Sequence, residues 1–171
     1  NLKRQGIDAL VIIGGDGTLT SGRDFARLGV PVIGVPKTID NDLNSTDRTF
    51  GFDTAVCRCV EATSSINTTG IAHHRVMVVE AMGRSAGHIA LHAGIATGAD
   101  VILIPEIDYD INKVAKKAKE ALKGERQYCL IMVAEGISSP SGDKSGVTTD
   151  LSPDGFKFKG AGEAIASAVQ E

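Results

Sequence analysis

Residues 75–82, Arg-Val-Met-Val-Val-Glu-Ala-Met, do not alternate between apolar and polar side chains; apolar residues follow one another until Glu80 interrupts them. Successive strand side chains point to opposite faces, so such a run suggests cover on both faces, as in a parallel sheet flanked by helices. Apolar runs of similar kind recur at residues 7–13, 30–35, 101–105 and 128–134. Segments of helical character separate them. Residues 20–28 end at Gly29, and residues 85–96 are closed by Gly98. Residues 52–67 carry Ala55, Cys59, Ala62 and Ile66 at helical spacing, with Thr68-Thr69-Gly70 as the expected stop. A charged helix is expected over 111–123 and an Ala-rich one over 160–170. Five strands alternating with helices predict an α/β fold: a doubly wound, mostly parallel sheet with helices on both faces, Rossmann-like.

In such a sheet reacting groups gather beyond the carboxyl ends of the strands. The first run ends in Gly14-Gly15-Asp16-Gly17-Thr18. Glycines let the backbone approach a phosphate chain, and the following helix start adds partial positive charge. Asp16 is placed to hold Mg²⁺ directly or through water, since a hard cation wants oxygen. Taken alone, this loop reads equally well as a strand-to-helix turn that needs small residues. The second run ends in Pro36-Lys37-Thr38-Ile39-Asp40-Asn41-Asp42. If the backbone stays extended, Asp40 and Asp42 share a side-chain direction, and neighbouring like charges raise a carboxylate toward the range of a base. An Asp-Asn-Asp loop capping its own backbone is the plainer reading. Two such loops after successive strands favour the chemical one. Arg84 stands where a strand meets a helix, suited to a phosphoryl group or to a surface ion pair. Glu135 ends the 128–134 strand, and Arg75 precedes the 75–82 run.

Composition removes other classes. A net charge of -3 with 4% aromatic residues gives no basis for a nucleic-acid partner. No apolar run approaches membrane-spanning length and the start is not a signal peptide. Cys57, Cys59 and Cys129 are odd in number and lack zinc spacing, which suits reduced thiols in a cytoplasmic protein. His88 and His92 lie four apart, a possible metal pair without a third ligand in sequence. The Ser, Gly, Asp, Pro and Lys content after residue 137 predicts a mobile loop over 137–159. At 171 residues the chain is one domain's worth, and beginning at Asn1 it reads as an excerpt of a longer protein.

The Gly-Gly-Asp-Gly-Thr loop, Pro-Lys-Thr-Ile-Asp-Asn-Asp and Met82-Gly83-Arg84, in that order, resemble the bacterial type of the 6-phosphofructokinase family over residues 8–136. The resemblance implies transfer of the terminal phosphoryl group of ATP to the 1-hydroxyl of fructose 6-phosphate, a step of glycolysis. It implies ATP phosphates over Gly15, Asp16, Gly17 and Thr18, with Mg²⁺ at Asp16. It implies substrate contacts from Lys37, Thr38, Ile39, Asp40, Arg75, Met82, Gly83, Arg84 and Glu135. Asp40 would be the catalytic base, Thr38 would position the substrate, Asp42 would tune the base, and Arg84 would steady the transferring group. Arg75 would reach a neighbouring subunit's site, making a homo-oligomer, in similar bacterial enzymes a tetramer. In the family a glycine after the loop aspartate goes with ATP and an aspartate with pyrophosphate; Gly17 favours ATP, whereas Lys37 is usual in pyrophosphate enzymes. The alternatives are a pyrophosphate-dependent enzyme and a non-catalytic sugar-phosphate-binding subunit. NAD and lipid kinases share Gly14 to Thr18 but have no reason to keep the later motifs. The family's first glycine-rich loop and its later sugar-phosphate residues do not occur in this stretch, so alone it is expected to be inactive. Asn67 stands where effector sites often carry arginine.

Overall fold

The computed structural model describes residues 1–137 and 160–170. The loop expected over 137–159 therefore falls, Ile137 apart, outside the described residues. The chain divides into two compact units, Asn1–Asp53 and Thr54–Glu171.

The first unit contains β1 (Leu10–Gly14), α1 (Asp16–Arg27), β2 (Val32–Thr38) and the two-residue β3 (Phe50–Gly51). The strands lie in the order β1-β2-β3, all parallel. α1 starts four residues before the expected helix. Gly15 is its N-cap in extended conformation and Asp16 occupies its first turn, where the helix dipole favours an acid. The apolar periodicity that marks a helix begins only further on, so its first turn was hidden. Gly22 lets α1 close on the sheet: a Cβ there would lie 2.9 Å from Ile12 Cδ1. β2 continues past its apolar run through Pro36, Lys37 and Thr38, and its register sets Pro36 beside Gly14. The two loops singled out in the sequence thus leave the sheet side by side. On the other parity Val11 and Ile13 are 68% and 61% exposed, and Ile33, paired with Val11, is 67% exposed.

The second unit holds most of α2 (Phe52–Ala72), then β4 (Val76–Ala81), α3 (His88–Thr97), β5 (Val101–Leu103), α4 (Ile111–Lys123), β6 (Cys129–Ala134) and α5 (Ala161–Gln170). Its strands run parallel in the order β4-β6-β5. The α/β class with parallel strands and flanking helices is as expected, but the strands form two three-stranded sheets and not one. Apolar runs identify strands; they do not identify pairing partners. Cover was also misassigned. All six residues of β6 are buried, whereas β4 is mostly half-buried. β6 has a strand on each side and packs against α3, α4 and α5, so it is the strand covered all round.

Thr68-Thr69-Gly70 does not stop α2, which continues to Ala72. Gly70 serves packing: a Cβ there would lie 2.4 Å from the Tyr128 ring and 2.7 Å from Met77 Cγ. Gly98 does close α3, in the left-handed conformation (φ 67°). Asp110 caps α4 by accepting the Asn112 N–H at 2.9 Å. All three cysteines are free thiols. Cys129 is buried, and burial first, then the nearby Asp100, pushes its thiol up to about 11. No helix among the described residues is long and apolar enough to cross a membrane.

Candidate functional site

The glycine loop is shaped by what glycine leaves out. A Cβ on Gly14 would fall 2.5 Å from Thr18 Cβ, so Thr18 folds back over the end of β1 only because position 14 has no side chain. A Cβ on Gly15 would meet Thr38 at 3.5 Å, so this loop lies against the end of β2. Gly17 faces open space, with no atom within 4 Å of a built Cβ. The first intrahelical donor of α1 is Leu19, to Gly15 O at 2.9 Å. The N–H groups of Asp16, Gly17 and Thr18 precede that bond, and all three residues are exposed. Such a helix start suits an anion. Asp16 adds one exposed carboxylate. Among the described residues there is no cluster of three metal-ligating side chains. One carboxylate at a helix start suited to an anion nonetheless fits Mg²⁺, which is held by few protein ligands and by substrate phosphates. His88 and His92 belong to no group of three metal-ligating side chains among the described residues, and His92 Nδ1 sits 2.9 Å from His88 O within the helix.

Asp40 lies just past β2, after Ile39, and is held by Thr38. The Thr38 hydroxyl donates to Asp40 Oδ2 at 3.2 Å, and the Asp40 N–H donates to Thr38 Oγ1 at 3.2 Å. Thr38, Ile39 and Asp40 are half-buried, and Lys37 is exposed. The expected common direction of Asp40 and Asp42 does not hold, because the extended backbone it requires ends at Asn41, whose φ is 54°. Asn41 ties this turn to the segment that follows it and not to the loop's own backbone. Its Oδ1 accepts the Thr49 N–H at 2.9 Å, and its amide nitrogen donates to Asp47 O at 3.5 Å. Asp42 lies exposed beyond this turn.

In the second unit, Met82, Gly83 and Arg84 form the turn between β4 and α3. Met82 is 64% exposed. Gly83 has φ 150°, with no room for a Cβ, which would lie 2.4 Å from Ala86 O. Arg84 has φ 53°, a conformation that a residue with a side chain keeps only under restraint. Glu135, just past β6, supplies restraint: its Oε1 accepts the N–H of Gly83 at 2.9 Å and of Arg84 at 2.7 Å. The next residue, Gly136, leaves space for Arg84 O, which a Cβ would approach to 2.0 Å. Two more glutamates hold backbone amides, and the sequence reading missed both. Glu80 Oε2 accepts the Gly162 N–H at 2.7 Å, and Glu106 Oε1 accepts the Gly87 N–H at 2.7 Å. Their partners lie 82 and 19 residues away, beyond any local pattern. Asn67 accepts a hydrogen bond from the Tyr128 hydroxyl. Arg75 is exposed at the amino end of β4, its N–H bonded to Gly70 O at 3.0 Å. Six strand residues, about 20 Å of chain, separate it from the Met82 turn.

The family described as Phosphofructokinase matches residues 1–171. A relative named ATP-dependent 6-phosphofructokinase 2, from Clostridium perfringens, is 55% identical over 97% of this chain and 46% of its own length. The ATP-dependent 6-phosphofructokinase of Corynebacterium efficiens is 46% identical over 99% of this chain and 49% of its own length. Among solved structures, phosphofructokinase from Saccharomyces cerevisiae matches with a TM-score of 0.79 and 31% identity, over 99% of this chain and 24% of that one. The chain thus spans about half the length of the curated relatives it matches.

Proposed function

The chain belongs to the phosphofructokinase family, and on that premise we propose that the protein is a 6-phosphofructokinase. It transfers the terminal phosphoryl group of ATP to the 1-hydroxyl of fructose 6-phosphate, giving fructose 1,6-bisphosphate in cytoplasmic glycolysis. The observation that carries the reading is the carboxylate at Asp40, oriented by the Thr38 hydroxyl, at a strand end that packs against the glycine loop.

Phosphoryl transfer asks a protein for positioning and for charge neutralisation more than for covalent chemistry. The start of α1 presents the amides of Asp16, Gly17 and Thr18 to the phosphates of the donor. Asp16 would hold Mg²⁺, which when bound offsets phosphate charge. Asp40 takes the proton of the 1-hydroxyl as that oxygen attacks the γ-phosphorus in line. Thr38 keeps the carboxylate facing its task, Asp42 adds negative charge beyond the turn, and Lys37 and Ile39 border the substrate. In the second unit Met82 and Gly83 hold the sugar phosphate, and the Arg84 guanidinium steadies the transferring group. Glu135 Oε1 serves the turn, so Oε2 is the atom left to accept a sugar hydroxyl. Arg75, remote from that turn along β4, serves a neighbouring copy, which makes the enzyme a homo-oligomer.

ATP is favoured over pyrophosphate because Gly17 leaves open space above the loop, and the two curated relatives named above are ATP-dependent by name. Steady-state kinetics with each donor tests the assignment, and a large preference for pyrophosphate overturns it. The base role is tested by Asp40→Ser in the full-length chain. Turnover should fall by roughly 10²- to 10⁴-fold while fructose 6-phosphate still binds. Equal losses of binding and turnover would count against it. Binding of both substrates by the unaltered protein without turnover would favour a regulatory subunit.

A further inference from the structure

We propose that Glu106 is a positioning residue for the Met82-Gly83-Arg84 turn, working with Glu135; this rests on the phosphofructokinase reading of that turn. Residues 82–87 connect β4 to α3 and carry two consecutive positive φ values, 150° at Gly83 and 53° at Arg84. The second is unfavourable for arginine, so the guanidinium is aimed correctly only while the backbone is held. Two carboxylates hold it, one near each end. Glu135 takes the amides of Gly83 and Arg84, and Glu106 takes the amide of Gly87, the N-cap of α3, at 2.7 Å. They come from different strands: Glu135 from beyond β6 and Glu106 from beyond β5, in a sheet ordered β4-β6-β5. The turn is therefore tied to both other strands of its sheet.

The packing around Gly87 is built for this contact. Gly87 is buried, so its N–H needs a partner within the protein. A Cβ there would lie 2.4 Å from Ile104 Cβ and 2.7 Å from Glu106 Oε2, so only glycine admits the carboxylate. An acid at a helix N-terminus is also favoured by the dipole of α3. With Glu106 in that place, the start of α3 is already neutralised, and the substrate's phosphate is left to Arg84 and its neighbours.

The test uses Glu106→Ala, Glu106→Gln and Glu106→Asp in the full-length chain, with Glu80→Ala as a matched control. Glu80 makes the same kind of bond in the same sheet, to Gly162 N at 2.7 Å, but not to this turn. Glu106→Ala should raise the KM for fructose 6-phosphate on the order of ten-fold and lower kcat, with the KM for ATP within about two-fold of wild type. Glu106→Gln keeps an acceptor oxygen and should recover most of the loss. Glu106→Asp, one methylene short, should show the shift in smaller size even where the alanine variant fails to fold. Glu80→Ala should cost stability and leave both KM values in place. An unchanged fructose 6-phosphate KM in the alanine or aspartate variant overturns the proposal. So does a Glu80→Ala variant with the same KM shift. A wild-type protein that phosphorylates no fructose 6-phosphate with either donor overturns the functional reading itself, which is a separate result.

Discussion

At Gly17 the absence of one side chain is the proposed basis for the choice of donor. Nothing lies within 4 Å of a Cβ built there, and the position is in the first turn of α1, where an acid is well tolerated. Gly17→Asp should therefore fold with stability within about 0.5 kcal/mol of wild type. Its carboxylate would occupy the space proposed for the nucleotide's inner phosphate, so the KM for ATP should rise by at least about ten-fold, with little change for fructose 6-phosphate. Unaltered ATP kinetics would mean that the phosphates do not lie over Gly17. A second residue-scale prediction concerns pH. Burial raises the Cys129 thiol to about 11 from 9.0, so the unfolded chain loses this proton first as pH rises. The stability contribution is complete below about pH 9 and should be lost between pH 9 and 11, amounting to about 2–3 kcal/mol. Urea midpoints across that range should fall more steeply for wild type than for Cys129→Ala. What was legible at this scale was position: Asp16 and Asp40 come just past strand ends and Thr38 closes β2, and strand ends can be read. Glu106 was not legible, because a glutamate after Ile-Pro looks like any surface acid until Gly87 is seen beside it. The direction of Asp42 was misread for another reason, since nothing local announces that Asn41 turns left-handed.

Elements were read well where their ends carry capping chemistry. α4 runs over Ile111–Lys123 as expected, with Asp110 capping its start and Gly124 following its end. They were read less well where a residue has two meanings. Glycine can end a helix or admit a neighbour, and at Gly70 the second applies: the site is helical and pressed against Tyr128 and Met77. At an exposed helical site, replacing glycine by alanine stabilises by up to about 1 kcal/mol. At Gly70 the added methyl meets ring and side-chain atoms closer than 3 Å, and overpacking costs about 1–3 kcal/mol. Gly70→Ala should therefore destabilise the protein, as read by urea or thermal unfolding. A gain in stability would restore the view that Gly70 merely marks the end of α2. The same ambiguity affected β4 and β6. Both are six-residue strands, β6 apolar throughout and β4 apolar but for Glu80, and their places in the sheet separate the half-buried strand from the buried one.

At the scale of the whole molecule, one sheet face of the first unit is unusual. Parallel sheets are normally covered on both faces, yet Val11, Ile13 and Ile33 stand more than half exposed. Arg75 is the residue on which the proposed oligomer rests. It leaves the amino end of β4, whereas the Met82 turn leaves the carboxyl end about 20 Å along. A strand between them cannot shorten, so Arg75 cannot contact a sugar phosphate bound at its own chain's Met82 turn. If it binds fructose 6-phosphate, it binds the molecule held by another copy. Arg75→Ala should then raise the KM for fructose 6-phosphate sharply and leave that for ATP nearly unchanged. Mixing it with an Asp40→Ala variant gives the stricter test. Each homo-oligomer lacks one necessary group in every site. A mixed oligomer contains interfaces at which an intact Asp40 from one copy meets an intact Arg75 from the other, so some activity should return after subunit exchange. If exchange is demonstrated by separable tags and no activity returns, Arg75 does not serve a neighbour's site, and the oligomer proposed on its account loses its support.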